Sequence, residues 1–187
     1  LRQNRHLHRK RLSDSATEED KFLSYDRKQT FGFDAATALW HFNLRGEFAY
    51  NLTEDTDGTN PAIRNNSLGY LLGFDIDLPF WNMNLNIQET GNVILNSDKI
   101  EDNAKDFEKS KTGYTSNKII ANITTSFFHD KLVPEVTAIW SIERKDFILL
   151  PKISFKATDA LTFEAKGMYI LSGDENSEFY AWRKNSF

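Results

Sequence analysis

HFNLRGEFAYNL, residues 41–52, is the stretch from which the fold of this chain is read. Phe42, Leu44, Gly46, Phe48, Tyr50 and Leu52 fall at one parity; Asn43, Arg45, Glu47, Ala49 and Asn51 fall at the other. Successive side chains of a β-strand point to opposite faces, so the segment is a strand with one apolar face and one wet, charged face.

The same period recurs in both directions. Leu68, Tyr70, Leu72, Phe74, Ile76 and Leu78 oppose Gly69, Gly73, Asp75 and Asp77. Leu149, Pro151, Ile153 and Phe155 oppose Lys152, Ser154 and Lys156, and the apolar parity of 161–171 opposes Thr162, Glu164 and Lys166. Further strands are expected at about 26–39, 84–95, 117–128 and 132–143, eight in all. In 84–95 Glu89 falls on the apolar parity, and a bulge near Gln88 is the expected repair.

Composition excludes several alternatives. The 187 residues suffice for one domain with a core. The formal charge is −4, the mean hydropathy is −0.54, and the longest apolar run is 147–151. That is far short of the roughly 18 to 20 apolar residues of a spanning helix. Strands that are apolar on one face only escape this test. With no cysteine, disulfide scaffolds, thiolate metal sites and cysteine nucleophiles are ruled out.

The connections alternate in length. Tight turns are expected at 40–42, 79–82, 129–131 and 158–160; polar connections at 53–67, 97–116, 143–146 and 172–178 lie at the other end. Short turns on one side and longer loops on the other is the arrangement of outer-membrane barrels. Trp40, Phe42, Phe80, Trp81, Phe127 and Phe128 flank the short turns as a lipid-facing interfacial girdle would. The reading is therefore all-β: an antiparallel up-and-down transmembrane β-barrel occupying 26–187, preceded by a basic flanking segment or extracellular loop at 1–25. The bland competitor is a soluble β-sandwich or lipocalin-like binder whose aromatics fill its core.

Two hairpins echo each other at a spacing of 41 residues: Gly32-Phe33-Asp34 returns as Gly73-Phe74-Asp75, Trp40 as Trp81, and Asn43-Leu44 as Asn84-Leu85. Hairpin duplication accounts for this, as do shared demands at a turn; without a third copy a solenoid is not indicated. The eight strands enter and leave on the long-loop side. One strand before Leu1 and another after Glu178 would put both ends on the short-turn side. Residues 180–187 are expected to begin that last strand, making the chain a fragment of a barrel of ten or more strands.

LRGEFAYNLTEDTDGTNPAIRNNSLGYLLGFD (44–75) and PKISFKATDALTFEAKGMYILSGDENSEFYAWRKNSF (151–187) resemble the later hairpins of a known group. It is a broad family of Gram-negative outer-membrane proteins catalogued as a domain of unknown function, with a porin-like barrel; alginate-export-type porins are similar in pattern. The resemblance covers roughly 26–187 and implies fold, outer-membrane location and a transport role. It transfers no functional residue, and the incomplete last strand departs from the family pattern.

The wet parity supplies the candidate site. Asp34, Arg45, Glu47, Asp75, Asp77, Glu135, Lys152, Lys156, Glu164 and Lys166 would line a lumen, where rings of charge set solute preference. Acidic groups lead over 42–78 and basic groups over 149–168, which predicts a transverse field. The alternative is that these charges satisfy one another inside a closed barrel that scaffolds a periplasmic, surface or oligomeric partner.

Enzymatic chemistry is not indicated. His6, His8, His41 and His129 belong to no nucleophile constellation, and no phosphate-cradling glycine loop is present. His6 and His8 are two ligands short of a metal site, so no metal or cofactor is expected. The run 8–11 is expected first as part of an unstructured external loop, and as a partner for lipopolysaccharide phosphates in preference to nucleic acid. Expected partners are thus outer-membrane lipid, lipopolysaccharide and a small hydrophilic solute.

Overall fold

A computed structural model describes residues 26–175, 177 and 179–183. The expected flanking segment 1–25, with His6, His8 and the basic run, lies outside the described residues, as do 184–187.

The fold is all-β. One antiparallel up-and-down sheet runs β1 (Lys28–Leu39), β2 (Phe42–Thr53), β3 (Ser67–Asp77), β4 (Asn84–Ile94), β5 (Thr115–Thr124), β6 (Leu132–Ser141), β7 (Asp146–Thr158) and β8 (Leu161–Lys166); β9 (Tyr169–Ser172) also pairs with β7. All eight expected strands are present. Among the described residues the sheet is open, with β1 and β8 at its edges. No described helix is long and apolar enough to cross a membrane.

Register carries one parity across the whole sheet. Phe33 lies opposite Phe48, Phe48 opposite Tyr70, Leu72 opposite Glu89, Leu85 opposite Ile123, Ile119 opposite Trp140, Trp140 opposite Phe147, and Phe155 opposite Phe163. The apolar parities of all strands therefore share one face. Every exposed large apolar side chain within a strand, from Phe31 and Phe33 on β1 to Tyr169 and Leu171 on β9, lies there. Ile148 and Ile170 are the buried apolar residues among those described, and they face each other on the opposite, wet side.

Two prolines explain where the ladder breaks. The Gly167 N–H donates to the Pro151 carbonyl at 2.9 Å, but proline has no N–H to return the bond. The strand expected as 161–171 is accordingly interrupted at Gly167 and Met168 while keeping its register. Likewise the Thr125 N–H donates to the Pro134 carbonyl at 3.2 Å without reciprocation. β5 stops at Thr124, short of the expected 128, and only a bridge between Phe127 and Leu132 follows.

The hairpin turns hold bulky residues in left-handed backbone. Trp40, Trp81 and Phe128 have φ of 54°, 56° and 56°, a conformation costing non-glycine residues roughly 1 to 2 kcal/mol. Trp40 and Trp81, the matched positions of the internal echo, thus do the same job in their two hairpins.

Two expectations need correction. No bulge occurs near Gln88: Gly73 pairs with Gln88 and Leu72 with Glu89 in unbroken register. Glu89 stays on the apolar face because Tyr70 accompanies it. The Tyr70 hydroxyl sits 3.1 Å from Glu89 Oε1 and 2.9 Å from Asn117 Oδ1, sharing its proton between them. Second, the expected strand at 180–187 does not begin at Tyr180. Tyr180–Trp182 is a 3-10 turn, fastened by the Arg183 guanidinium, which lies 3.5 Å over the Tyr180 ring and donates to its carbonyl at 2.6 Å.

Candidate functional site

The wet face divides into three zones. On β1–β3, Asp34 lies directly opposite Glu47, and Arg45 forms an ion pair with Glu47 along the strand. The Asn43 amide donates to Asp75 at 2.8 Å, and the Asn84 amide donates to Asp77 at 2.9 Å. The acidic half of the expected set therefore lies on three adjacent strands in two groups, Asp34 and Glu47 with Arg45 as counter-charge, and Asp75 and Asp77 each held by an asparagine.

On β6–β8, Glu135, Lys152 and Lys166 fall in line across three strands. Lys152 pairs with Glu135 at 3.0 Å, and Lys166 with Glu164 at 3.0 Å. Ser154 donates to Glu164 at 3.2 Å. Beside the break opposite Pro151 a recess of 440 Å³ is lined by Glu135, Thr137, Lys152 and Lys166 among others. Lys156 turns to Asp159 in the hairpin at 2.8 Å. The basic half is thus neutralised residue by residue, and the net charge of the expected set lies on its acidic side.

Between them β4 presents a neutral ladder. Asn84, Asn86, Gln88, Thr90 and Asn92 share the wet face, with Asn122 opposite Asn86. The sequence displays this as an amide or hydroxyl at every second position from 84 to 92, but a search keyed to charge passes over it. Asp75 and Asp77 on β3 lie four strand steps from Lys152 on β7, roughly 19 Å at about 4.8 Å per step.

The six girdle aromatics all stand at the short-turn end and are exposed, Trp40 to 89% and Phe128 to 72%. Phe80 and Trp81 meet edge to face at 6.0 Å, and Phe42 meets Phe74 at 5.9 Å.

At the opposite end the long connections are fastened together. Asp106 is buried, accepting from Arg64 Nη1 and from the Asn65 N–H, each at 2.7 Å. The Asn65 amide donates to the carbonyls of Leu95 and Asn96 at 3.0 and 3.2 Å. Asn66 accepts from the Thr53 N–H at 2.8 Å and donates to the Thr56 carbonyl at 3.2 Å. Nothing in the sequence signalled that loops separated by two strands share this clamp.

Glu143, in the β6–β7 turn, ties the rim of β5 to the next hairpin. Partial burial works against its charge. Hydrogen bonds from the Asn117 and Glu143 N–H groups and from the Thr115 and Asn117 side chains outweigh that burial and hold its pKa below the ordinary glutamate value.

Among the described residues no cluster of His, Asp and Glu is arranged to hold a metal ion. The chain matches no protein-family model, no curated protein and no solved structure.

Proposed function

We propose that this chain forms part of a transmembrane β-barrel of the bacterial outer membrane and lines a channel for small hydrophilic solutes. One observation carries the reading: every exposed large apolar side chain within a strand lies on one face of the sheet, while the charged residues of the expected set lie on the other. A soluble sandwich would cover that apolar face with a second layer, and such a face without cover is suited to lipid. Segregated turn lengths and the girdle at the short-turn end fit the same orientation, with the girdle at the periplasmic interface and the clamped loops outside. An open sheet encloses a lumen only once further strands complete it.

The closed-scaffold alternative has support of its own, because Lys152 and Lys166 are already paired, as charges inside a filled barrel would be. Conductance across planar bilayers separates the two. The channel reading predicts discrete conductance steps. It also predicts that Asp75→Asn with Asp77→Asn moves the reversal potential toward anion preference, since two negative charges leave the lumen wall. Steps with an unchanged reversal potential would dismiss these aspartates as selectivity groups. A folded, lipid-inserted protein that never conducts would dismiss the channel.

A further inference from the structure

We propose that the wet face of β4 is a contact track for neutral polyhydroxylated solutes, with uncharged oligosaccharides as the representative class. The inference rests on the channel reading for its biological setting, and on the β4 ladder for its chemistry.

A hydroxyl both donates and accepts, and so does a carboxamide, whereas a carboxylate only accepts and an ammonium only donates. Asn84, Asn86, Gln88, Thr90 and Asn92 place such groups about 6.8 Å apart along the strand, with Asn122 and Ser116 about 4.8 Å away on β5. Much of their capacity is free. Gln88 donates to Asn86 Oδ1 at 2.9 Å, which leaves the Asn86 amide nitrogen available. Asn84 donates to Asp77 and keeps its carbonyl. Among the described residues the side chains of Thr90 and Asn92 engage no protein partner.

The surroundings select against net charge. Asp77 and Asp75 stand opposite Asn84 and Asn86, and Lys118 stands opposite Thr90. Opposite signs therefore flank the ladder, carboxylates beside Asn84 and Asn86 and an ammonium beside Thr90, while its own five rungs are uncharged.

Shape and apolar surface complete the site. Gly69 is opposite Asn92, and a Cβ built there would stand in ordinary contact with the Asn92 amide nitrogen at 3.8 Å, so the missing side chain leaves room for a methyl-sized group beside the amide. On the other flank Ile120 stands opposite Gln88, and the row continues through Ile139, Ile148 and Ile170. A sugar presents hydroxyls at its rim and C–H groups on its faces, and this strip offers amides beside the half-buried Ile120 and Ile139, the row being buried beyond them at Ile148 and Ile170. No aromatic platform lies on this face of the described strands, so the contact is that of a track a solute moves along and leaves.

The test is equilibrium dialysis of the detergent-solubilised chain against radiolabelled maltotriose, cellotriose and raffinose, with trigalacturonate and polyethylene glycol of equal mass as comparators. At least one neutral sugar should be retained about tenfold more tightly than either comparator, and Asn86→Ala/Gln88→Ala/Asn92→Ala should erase that margin, as losing one or two net hydrogen bonds would. The folded state of the variant is checked by its heat-dependent migration in gels. Trigalacturonate held as tightly as the sugars, no sugar retained above polyethylene glycol, or a folded triple variant that binds as before would each overturn the track. Conductance without sugar retention would remove the track and leave the channel. Retention lost in the triple variant, in a protein that never conducts, would keep the track and remove the channel.

Discussion

At the scale of single residues, the contact between Tyr70 and Gly91 shows how one side chain settles a local conflict. Glycine inside a strand sacrifices packing and backbone order, yet Gly91 is buried because the Tyr70 ring lies across it. The ring thereby delivers its hydroxyl to Glu89 and Asn117. A Cβ at Gly91 would collide with that ring and with the Asn117 carboxamide. Gly91→Ala should therefore destabilise the folded protein by about 1 to 3 kcal/mol in urea titrations in detergent, the usual cost of overpacking. In the Tyr70→Ala background the penalty should shrink, since the two positions share one space. Full additivity would show that the ring does not cover the glycine. Glu143 offers a second check at this scale. Its carboxyl titrates below the ordinary glutamate value in the folded protein, so its stabilising contribution is present above that ordinary value of about 4.3. It is lost as the pH falls through the folded pKa. The Asn117 amide should lose its protection from hydrogen exchange over that acidic window, and Glu143→Gln should abolish the dependence.

At the scale of elements, alternation made the strands legible. A period of two over five or more residues reflects two different solvents on the two faces, and all eight strands emerged from it. What escaped was what periodicity does not encode. Pro134 and Pro151 shorten or interrupt ladders according to which neighbour their missing N–H faces, and that depends on register. Glu89 looked like a bulge because the reading allowed a strand no polar residue on its apolar parity, while the structure supplies a tyrosine from the adjacent strand. The faces themselves make a sharp prediction. Phe48 lies at the middle of β2 on the apolar face, and Phe48→Arg should cost about 2 to 4 kcal/mol in lipid if that position is near the midplane. Ala49→Arg, one residue on and facing the wet side, should fold close to normally. Equal penalties would mean that the faces are misassigned. The clamp divides the long connections into fastened and free positions. Gly58 has φ of 69° and is buried, with Asn65 Nδ2 and Asn96 Cβ at 2.7 and 2.8 Å from where a Cβ would stand, whereas Asn103 is exposed. An epitope inserted at Asn103 should leave the protein folded and be reachable on intact cells, while one at Gly58 should impair folding. Labelling at Asn103 only after lysis would reverse the orientation.

At the scale of the whole molecule, the candidate site was half legible. The charged residues were found from their parity, but their partners were not. Whether Lys152 is a free cation or half of an ion pair depends on which residue of β6 stands beside it, and register decides that. The neutral ladder of β4 shows in the sequence as an amide or hydroxyl at every second position from 84 to 92, a pattern that carries no charge. A sheet with a continuous apolar face and two open edges also has a physical consequence: in water it is an invitation to edge pairing. The chain should aggregate without detergent and become monodisperse with it, and monodispersity in plain buffer by light scattering would favour a soluble binder.

The central claim is that alternate residues meet lipid and water, and because the chain contains no cysteine, each site can carry a single introduced label. Cysteines placed one at a time from 43 to 51, spin-labelled and reconstituted in bilayers, report collision rates with oxygen, which concentrates in lipid, and with a water-soluble nickel chelate. The account predicts strict alternation: oxygen dominant at 44, 46, 48 and 50, and nickel dominant at 43, 45, 47, 49 and 51. Even positions shielded from both reagents, or equal nickel access at both parities, would contradict it.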